Sequence, residues 1–365
     1  MSSRPSISPI DLSLLRLFNQ QVIESKFTTV KEVVGWMGAM QAQDFYMVRW
    51  AIGIRIPNST NQFIELAIDD GHVIRTHLLR PTWHLASSDD LHWMLALNAK
   101  QIKASMKSRD RELELDDVIY AKSNSIFESA LQGGNQLSRE ELLSRLAGEN
   151  IATDNNRASH LLMRAELDGI ICSGRIKKNK QTYALLSERV PKATTLSRDE
   201  AISLLALKYF TSHSPATLSD FVWWSGLSVN EARKALEMVK SNFISESIGD
   251  QIYWFTPSFI FPKSHKDIVH LLPAFDEFLI SYKDRTASLP FKDQTKAVSN
   301  NGIFKPIIVI NGQVVGIWRR TIKNDRIILE TEPFQSLTVA AKEQIAEAAL
   351  RYSNFLNKKV EIIHH

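Results

Sequence analysis

Apolar positions return at helical spacing three times near the start of the chain. Leu14, Leu15, Phe18 and Val22 share one face; Val30, Val33, Val34 and Met37 share a second, behind the capping-box sequence Thr29-Val30-Lys31-Glu32. Met47, Val48, Ala51 and Ile52 share a third, which Asp44 is placed to cap and Pro57 to close. Gln41-Ala42-Gln43 falls between the second and third, where a helix-turn-helix would turn, at the head of the would-be recognition helix. Val73 to His77 and Trp83 to Ala86 then flank a Leu-Arg-Pro-Thr turn. Three helices followed by a hairpin is the order of a winged helix.

The order repeats. Ser138-Arg139-Glu140-Glu141 is another capping box, and Ala158, Leu161, Leu162 and Ala165 line a helix that Gly169 ends. Ile170 to Ser173 and Gln181 to Leu185 bracket a basic tip of Lys177, Lys178 and Lys180. A third pass opens at Ser197-Arg198-Asp199-Glu200 and continues from the cap Thr217 through Gly226 into Ser228-Val229-Asn230-Glu231. Phe243 to Ser247 and Gln251 to Phe255 supply its hairpin. The passes share no residue period, so they are repeated architecture and not a solenoid.

Beyond Pro262 the pattern turns to strands: Val269 to Leu272, Ile307 to Ile310, Val314 to Trp318 and Arg326 to Glu330, with Asn311-Gly312 as a type I′ turn. A helical stretch from Ser336 to Phe355 and an edge strand from Val360 to Ile363 follow, and Lys100 to Asp117 reads as an exposed, charged linker helix. The expected fold class is α+β: three tandem winged-helix units (helix-turn-helix plus wing) with a C-terminal β-rich subdomain. The expected division is 1–99, 100–190, 191–262 and 263–365.

Composition narrows the function. The 365 residues, 44% hydrophobic and 23% charged, suit a folded chain of more than one domain. No stretch approaches the ~20 apolar residues of a membrane helix, and no basic segment precedes an apolar one at the start, so no membrane partner and a cytoplasmic location are expected. Net charge of +4 admits nucleic acid. The single cysteine, Cys172, excludes an intrachain disulfide, and its apolar surroundings suggest a buried thiol. Histidines are scattered without metal-ligand spacing and there is no Gly-rich phosphate loop, so no cofactor or metal is expected. The chain is expected to act as a monomer.

Several spaced blocks carry a resemblance: Met40-Gln41-Ala42-Gln43-Asp44, Arg80-Pro81-Thr82-Trp83-His84-Leu85, residues 215–224 from Pro215 to Trp224, Leu271-Leu272-Pro273-Ala274-Phe275-Asp276 running to Lys283-Asp284-Arg285, and residues 312–320 from Gly312 to Arg320. With these the chain resembles the AlkZ-like winged-helix DNA glycosylases, bacterial proteins of three tandem winged helices that remove alkylated bases and unhook interstrand crosslinks. The resemblance implies that Gln41 and Gln43 are the catalytic pair, since the family motif is a glutamine, an apolar residue and a second glutamine, or an aspartate in a sister branch. Asp44 stands one place beyond that carboxylate and is read as a helix cap. The implied partner is double-stranded DNA with alkylated or crosslinked guanine.

Two neutral amides suit such a substrate. An N7-alkylated guanine already carries positive charge and leaves readily, so the protein has to place a water and tolerate a cationic sugar. A glutamine carbonyl accepts from water and faces the sugar, while its NH₂ donates to a phosphate or ring oxygen. Uncharged, stable lesions would be poor substrates. No lysine is placed by the motif as a nucleophile, so a monofunctional hydrolase is expected.

Arg80, Trp83 and His84 on the first wing, Lys177, Lys178 and Lys180 on the second, and Arg319 and Arg320 after the β-hairpin are the candidate DNA contacts. An aromatic on a strand is more often core, so Trp83 and His84 stand open between the two roles. Trp223 and Trp224 are read as core, and Asp276 with Arg285 as a structural ion pair. Two rivals stand beside the glycosylase: a winged-helix transcription regulator and a non-catalytic damage-binding protein. Against the first, Arg49 is almost the only base-reading side chain on the would-be recognition helix.

Overall fold

The computed structural model describes residues 8–178, 180–192, 195–257 and 268–365. The domain boundary expected between 262 and 263 lies outside them. Helices alternate with largely antiparallel sheets, which bears out the α+β class. No helix among the described residues is long and apolar enough to cross a membrane. Two compact units interleave along the chain: one gathers Met1–Thr29, Met40–Ile64 and Ser203–His365, the other Val30–Ala39 and Glu65–Ile202.

In the first unit, Ser8 and Asp11 form a capping box that starts the helix Pro9–Asn19, with Pro9 in the first turn. Leu12, Leu15 and Leu17 are buried on it, and so is Arg16. Arg16 donates to the Pro215 carbonyl at 3.0 Å and stacks 3.7 Å over the Tyr282 ring, which gives a polar residue a place in the core. Thr217 and Asp220 cap Leu218–Ser225, and Gly226 closes it at φ 71°, the left-handed conformation that glycine adopts without strain.

A five-stranded sheet fills the C-terminal part of this unit, in the order Lys359–His364, Arg326–Pro333, Gln313–Ile322, Ile307–Ile310, Val269–Leu272. All pairings are antiparallel except that of the first two strands. Asn311 and Gly312, at φ 50° and 79°, make the tight turn between Ile310 and Gln313. Helix Phe45–Gly53 is pinned to this sheet through Trp50, whose indole donates to the Leu271 carbonyl at 2.8 Å. The Trp50 ring lies 5.1 Å from Tyr352 and from Phe355 on helix Val339–Leu356. At Gly53 a β-carbon would overlap the Phe355 ring, so glycine permits the close approach.

His270, on strand Val269–Leu272, is 4% exposed, and neither ring nitrogen has a hydrogen-bond partner among the described residues. Burial first, then the Arg351 and Arg55 charges, lower it to about 3. The unfolded chain, with histidine near its ordinary value of ~6.5, therefore takes up the proton first. Its contribution to stability is whole above that pH and is lost as pH falls towards the folded value, about 2 kcal/mol between pH 6.5 and 5. Buried His213 is lowered too and adds in the same direction. The His270→Phe variant is expected to flatten this acid slope in urea titrations at pH 7, 6 and 5; an unchanged slope counts against the argument.

The second unit is mainly helical. Phe127, Leu131, Leu142, Leu146, Leu161, Leu162 and Ile171 form its core. Ser138 and Glu141 make the expected capping box before Arg139–Gly148. The hairpin Val73–Leu78 and Thr82–Ser87 pairs Thr76 with His84, and Ile171–Ser173 with Thr182–Leu185 forms the second hairpin. Cys172 is buried and its thiol is pushed up to about 12, an inert thiol.

The expected linker helix over 100–117 needs correction. Helix Leu91–Glu112 starts earlier, and Ile102, Met106 and Asp110, one turn apart, are buried on one face while the charged residues occupy the other. Asp110 accepts from the Tyr120 hydroxyl at 2.8 Å and lies 2.7 Å from His160 Nδ1. The segment is part of the core of its unit.

Candidate active site

The glutamine motif leaves a strand and enters a helix. Ala39–Gln41 is extended, and helix Phe45–Gly53 follows, so the turn expected at Gln41 begins only after a short strand. Met40 and Ala42 are 1% and 0% exposed and fix the segment in the core; Gln41 is 6% exposed and Gln43 is exposed. Asp44 caps the helix, accepting from the Tyr46 and Met47 amides at 2.9 Å each. Its carboxylate is therefore committed to the helix end, as expected of a cap. The Gln43 side chain stands just before the positive end of this helix and makes no hydrogen bond to a described residue.

The helix itself corrects the recognition-helix reading. From Phe45 to Gly53 every residue but Tyr46 is buried, Arg49 at 4% exposure included. Such a helix has no face left to read base edges in a groove.

Behind the motif lies a buried polar network. The Gln41 amide donates to Glu277 Oε1 at 2.5 Å, and the Ser281 hydroxyl donates to the other carboxylate oxygen. His213 Nε2 lies 3.8 Å away. Burial alone raises the Glu277 carboxyl, but His213, the Ser281 hydroxyl and the Gln41 amide outweigh it and hold the group at about 2. Burial lowers His213 despite the neighbouring carboxylate. Gln20 ties the network together, donating to the Tyr282 hydroxyl at 3.0 Å and to the Glu277 carbonyl at 3.3 Å.

Asp276, next in line, pairs with Arg55 and not with Arg285. Two bonds of 2.9 Å join the Arg55 fork to both Asp276 oxygens, with both side chains buried. Asp276 also caps the short helix Glu277–Ile280. Arg285 instead donates to the Leu279 carbonyl at 2.9 Å and lies over Trp223 and Phe304. Trp224 is core as expected, whereas Trp223 is 38% exposed. Its indole donates to the Ile280 carbonyl at 2.8 Å.

Two arginines flank the head of the motif helix. Arg49 lies 4.8 Å from the Tyr46 ring; burial lowers it to about 10, Tyr46 opposes this and Arg320 adds to it. Arg320, half-buried, bonds the Tyr352 hydroxyl. Arg319 is exposed and pairs with Glu332 at 3.2 Å. A cavity of about 670 Å³ opens at the other end of this helix, lined by Trp50, Gly53, His270 and Arg351, and none of residues 40–44 reaches it.

The remaining candidates sit in the second unit. Arg80 is half-buried at the hairpin turn. Trp83 is partly buried beneath the Arg75 guanidinium, 3.8 Å from its ring centre, and 4.0 Å from the His77 ring. His84 is 1% exposed with Nδ1 3.0 Å from the Thr82 carbonyl, which decides the open choice for the core and corrects its place among the candidate DNA contacts. Lys177, Lys178 and Lys180 are exposed at the tip of the second hairpin; Lys177 bonds the Gln136 carbonyl and Lys180 lies 3.9 Å from Glu140.

Glu277 escaped the sequence reading, because it lies 236 positions from Gln41. It directly follows the quoted block ending at Asp276, and nothing in one sequence marks that residue as a neighbour of the motif.

A family described as DNA glycosylase AlkZ-like matches residues 34–355. An interstrand DNA cross-link repair glycosylase of Streptomyces sahachiroi is 22% identical over 355 residues, covering 92% of this chain and 94% of that protein. The solved structure of Streptomyces sahachiroi DNA glycosylase AlkZ aligns with a TM-score of 0.79 at 18% identity, over 98% of this chain and all of that one.

Proposed function

Because the chain belongs to the AlkZ-like DNA glycosylase family, we propose that it hydrolyses the N-glycosidic bond of N7-alkylated purines in duplex DNA, crosslinked guanines included. Gln41 and Gln43 hold the attacking water and face the sugar as it becomes cationic. The carrying observation is the state of Gln43. It is exposed and unengaged at the head of a helix whose own carboxylate, Asp44, is occupied in capping. An amide so placed has its carbonyl oxygen free to accept from a water.

The duplex contacts on this reading are Arg319 and the half-buried Arg320 in the first unit, and Arg80, Trp83, Lys177, Lys178 and Lys180 in the second. These give affinity without sequence reading. The thrice-repeated order of helices and hairpins is best read as three tandem winged helices in a chain that acts as a monomer. A transcription regulator fits poorly, because the buried motif helix presents no base-reading face.

The test is a duplex bearing one N7-methylguanine, with free base followed by mass spectrometry. Release above the spontaneous rate, with the strand left uncut, is the expected result. Binding to the damaged duplex without release would leave a damage-binding protein in its place.

A further inference from the structure

We propose that Glu277 is a positioning residue that supplies the negative charge the two amides lack: fixed behind Gln41, it holds the motif's backbone and favours a cationic sugar over a neutral one. The inference rests on the reading of Gln41 and Gln43 given above. It starts from the question of why a carboxylate stands there at all.

Glu277 is 2% exposed, and its contacts are the Gln41 amide, the Ser281 hydroxyl and His213 at 3.8 Å. A glutamine would satisfy the amide and the hydroxyl as well, without the desolvation penalty of a buried charge. Among the described residues no lysine or arginine pairs with Glu277. Arg55, which acts on the same histidine, spends its fork on Asp276, and His213 is driven towards neutral by burial. The charge is therefore held by the neutral Gln41 and Ser281 donors and not cancelled by a guanidinium or ammonium, directly behind the first glutamine of the motif. Protonating the group does not relieve the site, because the carboxyl is held low by its donors.

A buried anion held by neutral donors, its charge not cancelled by a neighbouring cation, is what a cationic transition state calls for. In a site of low effective dielectric a full charge acts over several ångströms. It does so here with no side chain of its own in contact with substrate: the Gln41 peptide lies between them, and its N–H points to the carboxylate. Other glycosidic enzymes set a carboxylate against the sugar itself. In this chain the carboxylate sits behind the motif, leaving the amides to meet the substrate and its bulky lesion.

The decisive measurement compares binding to two duplexes with abasic analogues at the lesion: a neutral tetrahydrofuran and a cationic pyrrolidine. The wild-type full chain is expected to prefer the pyrrolidine. Glu277→Gln is expected to lose that preference about 10- to 100-fold, with little change in affinity for the tetrahydrofuran and a matching fall in single-turnover base release. A purely structural role would weaken both duplexes alike, and that result overturns the proposal. If Glu277→Gln fails to fold, the wild type still decides: equal affinity for the two analogues overturns it. Failure of the underlying glycosylase reading looks different, since wild type would then release no base.

Discussion

Gln43→Ala is expected to lower base release from an N7-methylguanine duplex ~100-fold or more while leaving stability within ~0.5 kcal/mol of wild type. The two halves of this expectation have one origin. The side chain is exposed and bonds no described residue, so truncation removes no packing and strands no buried partner. What it removes is a dipole aimed at the place where charge develops. Gln41→Ala is expected to reach a similar loss of rate, but at 6% exposure its truncation also opens a buried site, so a measurable loss of stability accompanies it. Single-turnover kinetics with a parallel urea titration separate the two. Full activity in both variants would remove the amides from the mechanism whatever else the protein proves to do.

The largest loss of stability is expected at Arg55 and Asp276. Arg55 is fully buried; besides the fork on Asp276 it donates to the carbonyls of Gln20 at 2.9 Å and Ala51 at 2.7 Å. Arg55→Met leaves Asp276 as a buried, unpaired charge, for which a cost of ~3–5 kcal/mol is usual, and Asp276→Leu strands the guanidinium to a like extent. The double variant, with neither charge, is expected to cost clearly less than the two singles added. Tryptophan fluorescence in urea reads this directly, because Trp50 packs beside the same sheet. A single variant within 1 kcal/mol of wild type would mean that water reaches the pair. Both single variants should also lose base release, since Asp276 caps the short helix that carries Glu277.

What the sequence discloses and what it hides divide along a physical line. Asp44, Ser138, Thr217 and Ser228 all cap helices where their spacing says they should, and Asn311-Gly312 turns its hairpin, because a cap or a tight turn is decided within a few residues. The edge strand expected at 360–363 is present as Lys359–His364. Long-range partnerships are another matter. Asp276 lies nine positions from Arg285, near enough to suggest a pair, and yet binds Arg55, 221 positions away. His84 stands open between a duplex-facing and a core role, because nothing in the sequence tells the inner from the outer face of a strand covered on both sides, and in the structure it is core. Of the proposed catalytic arrangement, the two glutamines are legible through their motif, whereas the carboxylate behind them depends on how three distant stretches of chain come together.

That dependence has a consequence during synthesis. The ribosome delivers Gln41 and Gln43 early, but the residues that seat them, Glu277 and the strand to which Trp50 is pinned, emerge only after most of the chain has been made. A polypeptide cut short by a premature stop before that point carries the whole motif and none of its seat. With the proposed site, competence to cut a glycosidic bond would arrive only once that late stretch of chain is made, and an unfinished copy would lack the carboxylate that Gln41 donates to.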